Sequence, residues 1–300
     1  MHKLLVVIAG PTAIGKTAKS IALAQSFGSE IISADSRQFY KEMSIGTAVP
    51  SADELSAVPH HFIQHLSIDD SYSVGDFEED ALKKINRLFQ KHDILFMVGG
   101  SGLYIKAVTE GLDKFPKIKP GIREKLNLQA QTEGLSRLQN RLTSLDPEYA
   151  ERIDLNNPHR VIRALEVCLS SGKPFSSFLD RPKAERAFHS LKIGLEAPRE
   201  IIYERIERRV DAMIDEGLLA EAQKLYPKRK NNALNTVGYK ELFDYMDGRY
   251  SLNKAIDEIK KHTRRYAKRQ LTWLRKEKMT WFSHRCSSSE IENFIRSRFL

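Results

Sequence analysis

The stretch Leu4 to Thr17, LLVVIAGPTAIGKT, constrains this chain more than any other. Leu4 to Ala9 is an unbroken apolar run, rich in β-branched residues and too short for a helix, which is the pattern of a strand buried on both faces. Gly10, Pro11, Thr12, Ala13, Ile14, Gly15, Lys16 and Thr17 follow, a full match to G-x-x-x-x-G-K-[ST]. The two glycines permit a loop whose backbone N–H groups point inward. Lys16 brings a positive charge to the outer phosphates, and Thr17 offers its hydroxyl to Mg²⁺. The next segment, AKSIALAQSF, has helical character, so its positive N-terminus faces the same anion. Strand, glycine loop and helix in this order predict a di- or triphosphate site on an α/β fold: a P-loop NTPase-like parallel sheet with helices on both faces.

At 300 residues the chain reaches the length where one large domain begins to carry an insertion, so one α/β core with a smaller appendage is expected. Lys and Arg number 48 against 39 Asp and Glu, an excess compatible with a nucleic acid partner, although its location matters more than its size. The two cysteines, Cys168 and Cys286, lie too far apart in sequence for a disulfide framework or a four-ligand zinc spacing, and read as ordinary reduced thiols. The first strand begins almost at once, with no signal segment before it, and no run approaches about 18 apolar residues. A cytoplasmic, monomeric protein without membrane contact is therefore expected.

Further along, Glu30 to Ala34 reads as a second buried strand delivering Asp35, Ser36, Arg37 and Gln38 at its C-terminal end. Ligands of open parallel sheets sit outside those ends, so this tetrapeptide is expected beside the phosphate loop. His61 to Leu66 reads as another strand. Residues Ser73 to Gln90 have helical period, with Ser73 or Asp76 near the start. A clear buried strand, Ile94 to Val98, runs into a second glycine-rich turn, Gly99-Gly100-Ser101-Gly102. From about Asp113 the texture changes: a basic, proline-bounded linker precedes purely helical patterns from Gly121 to about Lys183. Leu135, Leu138, Leu142 and Leu145 form one amphipathic stripe there, and Asp146-Pro147 and Asn157-Pro158 start new segments. Residues 115–188 therefore read as a helical insertion domain, with 1–114 and 189–300 forming the core.

Leu191 to Leu195 restores the strand texture, and Pro198 opens a long helix that Gly217 stops or kinks. Ser251 to Lys278 is long, helical and basic: nine Lys or Arg lie between Lys260 and Lys278, against Glu277 alone. Lys260, Arg264 and Lys268 are spaced i, i+4, i+8, as are Lys261, Arg265 and Arg269, so like charges crowd one stripe and call for an anionic counterpart. Thr280 to Phe282 reads as a last edge strand. His60, His61 and His65 fit no single face for a metal and read as hydrogen-bonding groups. Trp273 and Trp281 read as core or helix-packing residues in preference to base-stacking platforms; Tyr104 and Tyr239 are open to base stacking or to burial.

A phosphate loop by itself points to a kinase or NTPase. Two features shift that default. An NTPase normally supplies a strand ending in Asp to hold Mg²⁺, whereas the strand at 94–98 ends in Gly99-Gly100. The strand-end acid near the loop is Asp35, where small P-loop kinases place the acid that binds the acceptor. A carboxylate close to Lys16 stays ionised and is placed to take a proton from an incoming nucleophile, so the residues indicate transfer to an acceptor. A capping or ion-pairing role for Asp35 is the plainer alternative.

The pieces GPTAIGKT, ISADSRQFYKEMSIGTA, VPHHFIQHLSIDDSYSVGDFEEDA, VGGSGLYIKAV, NPHRVIRALEV, RIERRVDAMIDEGLLAEAQKL, TVGYKEL and RRYAKRQLTW, in this order from residue 4 to about 276, resemble the tRNA dimethylallyltransferase family, also called tRNA isopentenyltransferases. The resemblance implies that the loop holds dimethylallyl diphosphate instead of a nucleotide. It further implies transfer of the dimethylallyl group to the exocyclic N6 of the adenosine just 3′ of the anticodon (position 37), in tRNAs reading codons that begin with U, with release of diphosphate. On this likeness Asp35 is the general base, while Lys16 and Thr17 hold the diphosphate, Thr17 near the amine or the Mg²⁺ ion, and Arg205 also reaches it. Asp35, Ser36, Arg37 and Gln38 contact the flipped adenine; Ser101 and Arg123 fall where tRNA contacts are expected. His159, Arg160, Val161, Ile162 and Arg163 imply contacts of the insertion to the anticodon stem-loop.

The sequence departs from that pattern at Ser101, commonly Thr, at His159, commonly Gln, at Phe39, commonly Val, and at Val49-Pro50, commonly Lys-Pro. Ser101 keeps its hydroxyl, His159 introduces a pH-sensitive contact, and Phe39 is expected to reshape the prenyl or adenine pocket. A zinc-finger extension of the eukaryotic kind is absent from this sequence. Three rival readings are an adenylate isopentenyltransferase acting on free nucleotide, a P-loop small-molecule kinase, and a non-catalytic RNA-binding protein on the same fold. A small acceptor needs neither the basic helix nor the insertion.

Overall fold

In the computed structural model, which describes residues 3–179, 182 and 184–299, β1 (Leu4–Ala9) is buried along its whole length. Burial on both faces requires a neighbour on each edge and helices above and below, and the chain supplies them in order. After β1 come α1 (Lys16–Ser26), β2 (Ile31–Ser33), α2 (Ala52–Ala57), β3 (His60–His61), α3 (Val74–Leu88), β4 (Ile94–Gly99) and α4 (Gly102–Glu110). A purely helical stretch follows: α5 (Ile122–Thr132), α6 (Leu135–Leu145), α7 (Pro147–Arg152) and α8 (Pro158–Ser171). The chain then forms β5 (His189–Glu196), α9 (Arg199–Asp215), α10 (Leu218–Leu225), α11 (Tyr239–Met246), α12 (Leu252–Leu274), β6 (Thr280–Ser283) and α13 (Ser288–Phe299).

The six strands form one parallel sheet in the order β3-β2-β4-β1-β5-β6. Ala9 stands beside Gly99 on one side and Gly194 on the other, and Ser33 beside Val98. This register brings the C-terminal ends of β1, β2 and β4 to one edge, so the segments after them open at a common place. The strand expected over 61–66 ends after His61. Phe62 and Gln64 adopt left-handed backbone angles (φ 63° and 47°), which break an extended run, and one bridge between Tyr40 and Leu66 continues it. The start of α3 is capped by Ser73, whose hydroxyl accepts from the Asp76 N–H while Asp76 reaches back.

Two compact units divide the chain: Met1–Glu110 with Glu185–Leu300, and Gly111–Ala184. The return to the sheet unit comes earlier than the residue 189 read from the sequence, because Arg186 donates to the carbonyls of Ala107 and Val108 and pairs with Glu78, and Phe188 packs against Phe89. The helical pattern read to about Lys183 ends outside the described residues. Within the helical unit, Leu138 and Leu142 of the leucine stripe enter a core with Leu126, Val161 and Leu165, whereas Leu145 at its end is exposed. Asp146 caps α7 by accepting from Tyr149 N–H at 3.0 Å, and Asn157 caps α8.

Candidate active site

The glycine loop turns sharply at Ala13 and Gly15, both left-handed (φ 63° and 97°), so Gly15 relieves what a side chain there would cost. Gly15 caps α1 without any side chain, leaving the first N–H groups of the helix facing the loop's interior. Lys16 folds back, its Nζ donating to the carbonyls of Gly10 at 3.1 Å and Pro11 at 2.9 Å. Burial pushes the Lys16 ammonium down to about 8; Asp35 pulls the other way, and Arg209 adds to the lowering. A cavity of about 250 Å³ opens here, lined by Thr12, Ala13, Gly15, Lys16, Thr17, Asp35, Gln38 and Arg209, with Ile31, Ile63 and Val98 among its apolar walls.

Asp35, just beyond β2, also lines a second and larger cleft of about 680 Å³, which shares Thr12, Asp35, Thr47 and Arg209 with the first. Ser36, Arg37, Arg265, Tyr266 and Arg269 wall this second cleft. One carboxylate thus stands at the junction of a phosphate-loop cavity and a wide basic one. Its Oδ1 accepts from the Arg37 N–H at 3.3 Å. Gln38 lies on the first cavity and donates to the carbonyl of Ala48 at 2.8 Å, while the Arg37 guanidinium donates to the carbonyl of Ala233 at 3.1 Å. The Ser101 Oγ accepts from the Ser36 N–H at 3.3 Å, tying the turn after β4 to the one after β2. Arg205 reaches the loop from outside, donating to the carbonyl of Ile14 at 3.1 Å.

Three further side chains join the site. Arg209, one turn beyond Arg205 on α9, lines both cavities and approaches the Thr12 hydroxyl at 3.4 Å. Burial lowers its pKa, against the pull of Asp35. The i, i+4 pair in RIERR is the signal that could have found it. Gln270 of α12 is buried; its Oε1 accepts from Thr12 N–H at 2.9 Å and its Nε2 donates to the Gly100 carbonyl at 3.1 Å, joining the two glycine turns. Tyr266, one turn earlier, lies beside Ser101, and its hydroxyl is pushed up to about 12 by burial and by Asp35.

Other residues fall differently from their sequence reading. Val161 and Ile162 are core residues of the helical unit, so in that segment His159, Arg160 and Arg163 are the side chains that face outward. Arg123 and Arg163 both bond to the buried carboxylate of Glu166, Arg123 through Nε and, at 2.8 Å, Nη2. The stripe on α12 finds much of its counter-charge within the protein: Lys260 pairs with Asp211 and Arg264 with Glu207, both on α9, and Lys261 with Glu258. Arg265, Lys268 and Arg269 stay exposed. Phe39 lines neither cavity; it is buried among Tyr72, Phe77 and Tyr104. Tyr239 is fully buried and donates to Glu221 at 2.6 Å. His60 and His61 bond to the Val58 carbonyl and to Glu30, whereas the ring nitrogens of His65 have no partner among the described residues and the ring packs against Phe39 and Phe62.

The donor set suits a hard cation held mainly by phosphate oxygens. Thr17 and Asp35 offer oxygen ligands within one cavity, and among the described residues no group of three or more His, Cys, Asp or Glu forms a cage of its own. No helix among the described residues is long and apolar enough to cross a membrane.

A parallel sheet with a glycine loop of the G-x-x-x-x-G-K-[ST] type after a central strand and an acid after the next one defines a P-loop-type α/β protein. The sequence profile described as IPP transferase matches residues 38–277. A tRNA dimethylallyltransferase of Christiangramia forsetii is 60% identical over 99% of both chains, and one of Flavobacterium psychrophilum is 55% identical over 98% of both. Among solved structures, the full-length tRNA isopentenylpyrophosphate transferase of Bacillus halodurans superposes with a TM-score of 0.74 at 40% identity, covering 99% of this chain and 97% of that one. A eukaryotic dimethylallyltransferase acting on tRNA gives a TM-score of 0.79 at 27% identity, covering 99% of this chain and 77% of that one. The chain belongs to the IPP transferase family.

Proposed function

We propose that this protein transfers the dimethylallyl group of dimethylallyl diphosphate to N6 of the adenosine immediately 3′ of the anticodon, in tRNAs reading codons that begin with U, and releases diphosphate. The observation that carries this reading is the place of Asp35, which lines both the phosphate-loop cavity and the wide basic cleft. A donor seated in the first and a base presented through the second meet at that carboxylate.

The diphosphate takes the loop N–H groups and Lys16, and the five-carbon tail runs toward Ile31, Ile63 and Val98. The adenine amine is a weak nucleophile because its lone pair is delocalised into the ring. As N6 bonds to C1 of the prenyl group, the C1–O bond breaks and the N6 proton passes to Asp35. Such general-base assistance is worth about 10²–10⁴-fold. The diphosphate leaves with the bonding electron pair; Lys16 and Arg209 line the cavity where that negative charge grows, and Arg205 backs the loop from outside. The Thr17 hydroxyl, on the same cavity, would hold a Mg²⁺ ion, which when bound would supply further neutralisation of the diphosphate. The base must leave its stack, at about a few kcal/mol, which phosphate contacts from Arg265, Lys268 and Arg269 and from Arg123, His159, Arg160 and Arg163 of the helical unit offset. The protein acts as a cytoplasmic monomer on the anticodon stem-loop.

The test is prenyl transfer from labelled dimethylallyl diphosphate to an unmodified anticodon stem-loop bearing A-A-A after the anticodon, beside AMP and beside Asp35→Asn. Label in the stem-loop, reduced about 10²–10⁴-fold by the substitution, is expected. Label in AMP alone, or ATP consumption without prenyl transfer, would refute the assignment.

A further inference from the structure

The second glycine-rich turn, Gly99-Gly100-Ser101-Gly102, binds no phosphate in the function proposed above, yet its glycines are demanded by packing. Tyr266, Arg269, Gln270 and Trp273 recur on α12 at i, i+3, i+4 and i+7, one helix face. That face lies on the turn. A Cβ on Gly100 would fall 2.1 Å from Gln270 Nε2, and one on Gly102 would fall 2.1 Å from Trp273 Cδ1 and 2.2 Å from Nε1. Gln270 and Tyr266 complete the seating through Gly100 and Ser101.

Trp273 fills the packing role read from the sequence on one side only. One side of its indole rests on Gly102, but the residue remains 39% exposed, and Leu103, next to Gly102 in the chain, is 44% exposed. Trp281, the other tryptophan of the chain, instead lies packed on Gly194. One exposed ring is ordinary by itself; its setting is what makes it a candidate surface. The surroundings identify what covers it. Lys268, Arg269 and Lys276 are exposed within about a turn or two of Trp273, none paired with a carboxylate among the described residues, and Arg269 lines the cleft that holds Asp35. Aromatic rings set among unpaired cations suit a single-stranded nucleic acid, whose bases offer flat faces and whose backbone offers the charge.

The geometry points to Trp273 as the stacking platform for an unpaired RNA base, the neighbour of the base that enters the Asp35 cleft. Arg269 lies between the two, one helical turn from Trp273, and takes the intervening phosphate. This rests on the function proposed above, and the experiment separates the two. In Trp281→Phe, Trp273 is the single tryptophan; its selectively excited emission should be quenched saturably by the anticodon stem-loop, whereas Trp273→Phe, which keeps only Trp281, should show no quenching. In the otherwise unaltered chain, Trp273→Ala should bind the stem-loop about tenfold more weakly, and Trp273→Phe should recover most of that loss. A stem-loop made abasic next to the target adenosine should bind about tenfold more weakly to the unaltered chain and no more weakly still to Trp273→Ala. Unquenched Trp273 emission with an RNA that is nonetheless prenylated, or full affinity in Trp273→Ala, would overturn the inference and leave the proposed function standing. Absence of any prenylated RNA would overturn both.

Discussion

Lys16 carries the sharpest quantitative consequence of this fold. Its ammonium is lowered from an ordinary 10.5 to about 8, chiefly because the loop folds it out of water with two backbone carbonyls as partners. In the unfolded chain the same group titrates near 10.5. Between those values the unfolded state binds more protons than the folded one, so stability rises with pH across that window. Below about pH 8 both states are protonated and the full penalty applies. Above about pH 10.5 both are neutral and it vanishes. At about 1.4 kcal/mol per pH unit, the penalty is roughly 3 kcal/mol. Replacing Lys16 by Met, of similar length and without charge, removes it. Urea denaturation of both proteins, without ligand, from about pH 7 to about pH 10.5 should show the unaltered chain gaining roughly 3 kcal/mol relative to Lys16→Met. In the proposed reaction the same ammonium is charged when it captures the diphosphate, so kcat/KM for the prenyl donor should fall about tenfold per pH unit above about pH 8. A stability difference that stays flat across the window would refute the desolvation argument, whatever the variant's activity.

Other substitutions test other contacts. Glu166 is 1% exposed while Arg123 and Arg163 keep half or so of their side chains in water, so the pair should break asymmetrically. Glu166→Gln frees two arginines to rehydrate and should cost about 1 kcal/mol, whereas Arg123→Ala leaves a buried carboxylate with only the 3.4 Å contact to Arg163 and should cost about 3 kcal/mol; equal losses on thermal denaturation would contradict this. Gly99→Ala would place a Cβ 2.4 Å from the Ala34 carbonyl oxygen, backbone against backbone. Separating β2 from β4 should cost at least about 2 kcal/mol and, by moving Asp35, should lower kcat further than instability explains; unchanged turnover would argue against a positional demand on Asp35. Glu221→Ala removes the acceptor of the Ser44, Ile45 and Gly46 N–H groups and of the Tyr239 hydroxyl. Because Thr47 in that loop lines both cavities, the donor KM should rise together with a stability loss of about 3 kcal/mol, and an unaltered KM would separate the loop from the site.

What the sequence determined by itself is everything local in chain distance. Leu4–Ala9 could only be a doubly buried strand, Gly15 could only serve a left-handed turn before a helix, and the acid after the next strand had to arrive at the same sheet edge, because a parallel register aligns strand ends. Ser73, Asp146 and Asn157 announced helix starts, since a side-chain oxygen there satisfies an orphan N–H within two or three residues. What only the tertiary structure decided depends on groups far apart in sequence. Lys260 and Arg264 looked like RNA-seeking charges until α9 set Asp211 and Glu207 against them. Gln270 gave no sign that it would join Thr12 to Gly100. Val161 and Ile162, inside a segment read as an RNA contact, turned into a core because the helix that exposes His159 and Arg160 must bury its other face. Periodicity and capping reveal which element forms and which way it leans. Which charge is neutralised, and which ring is left uncovered, is fixed only when the elements close on one another, because screening and desolvation act through space.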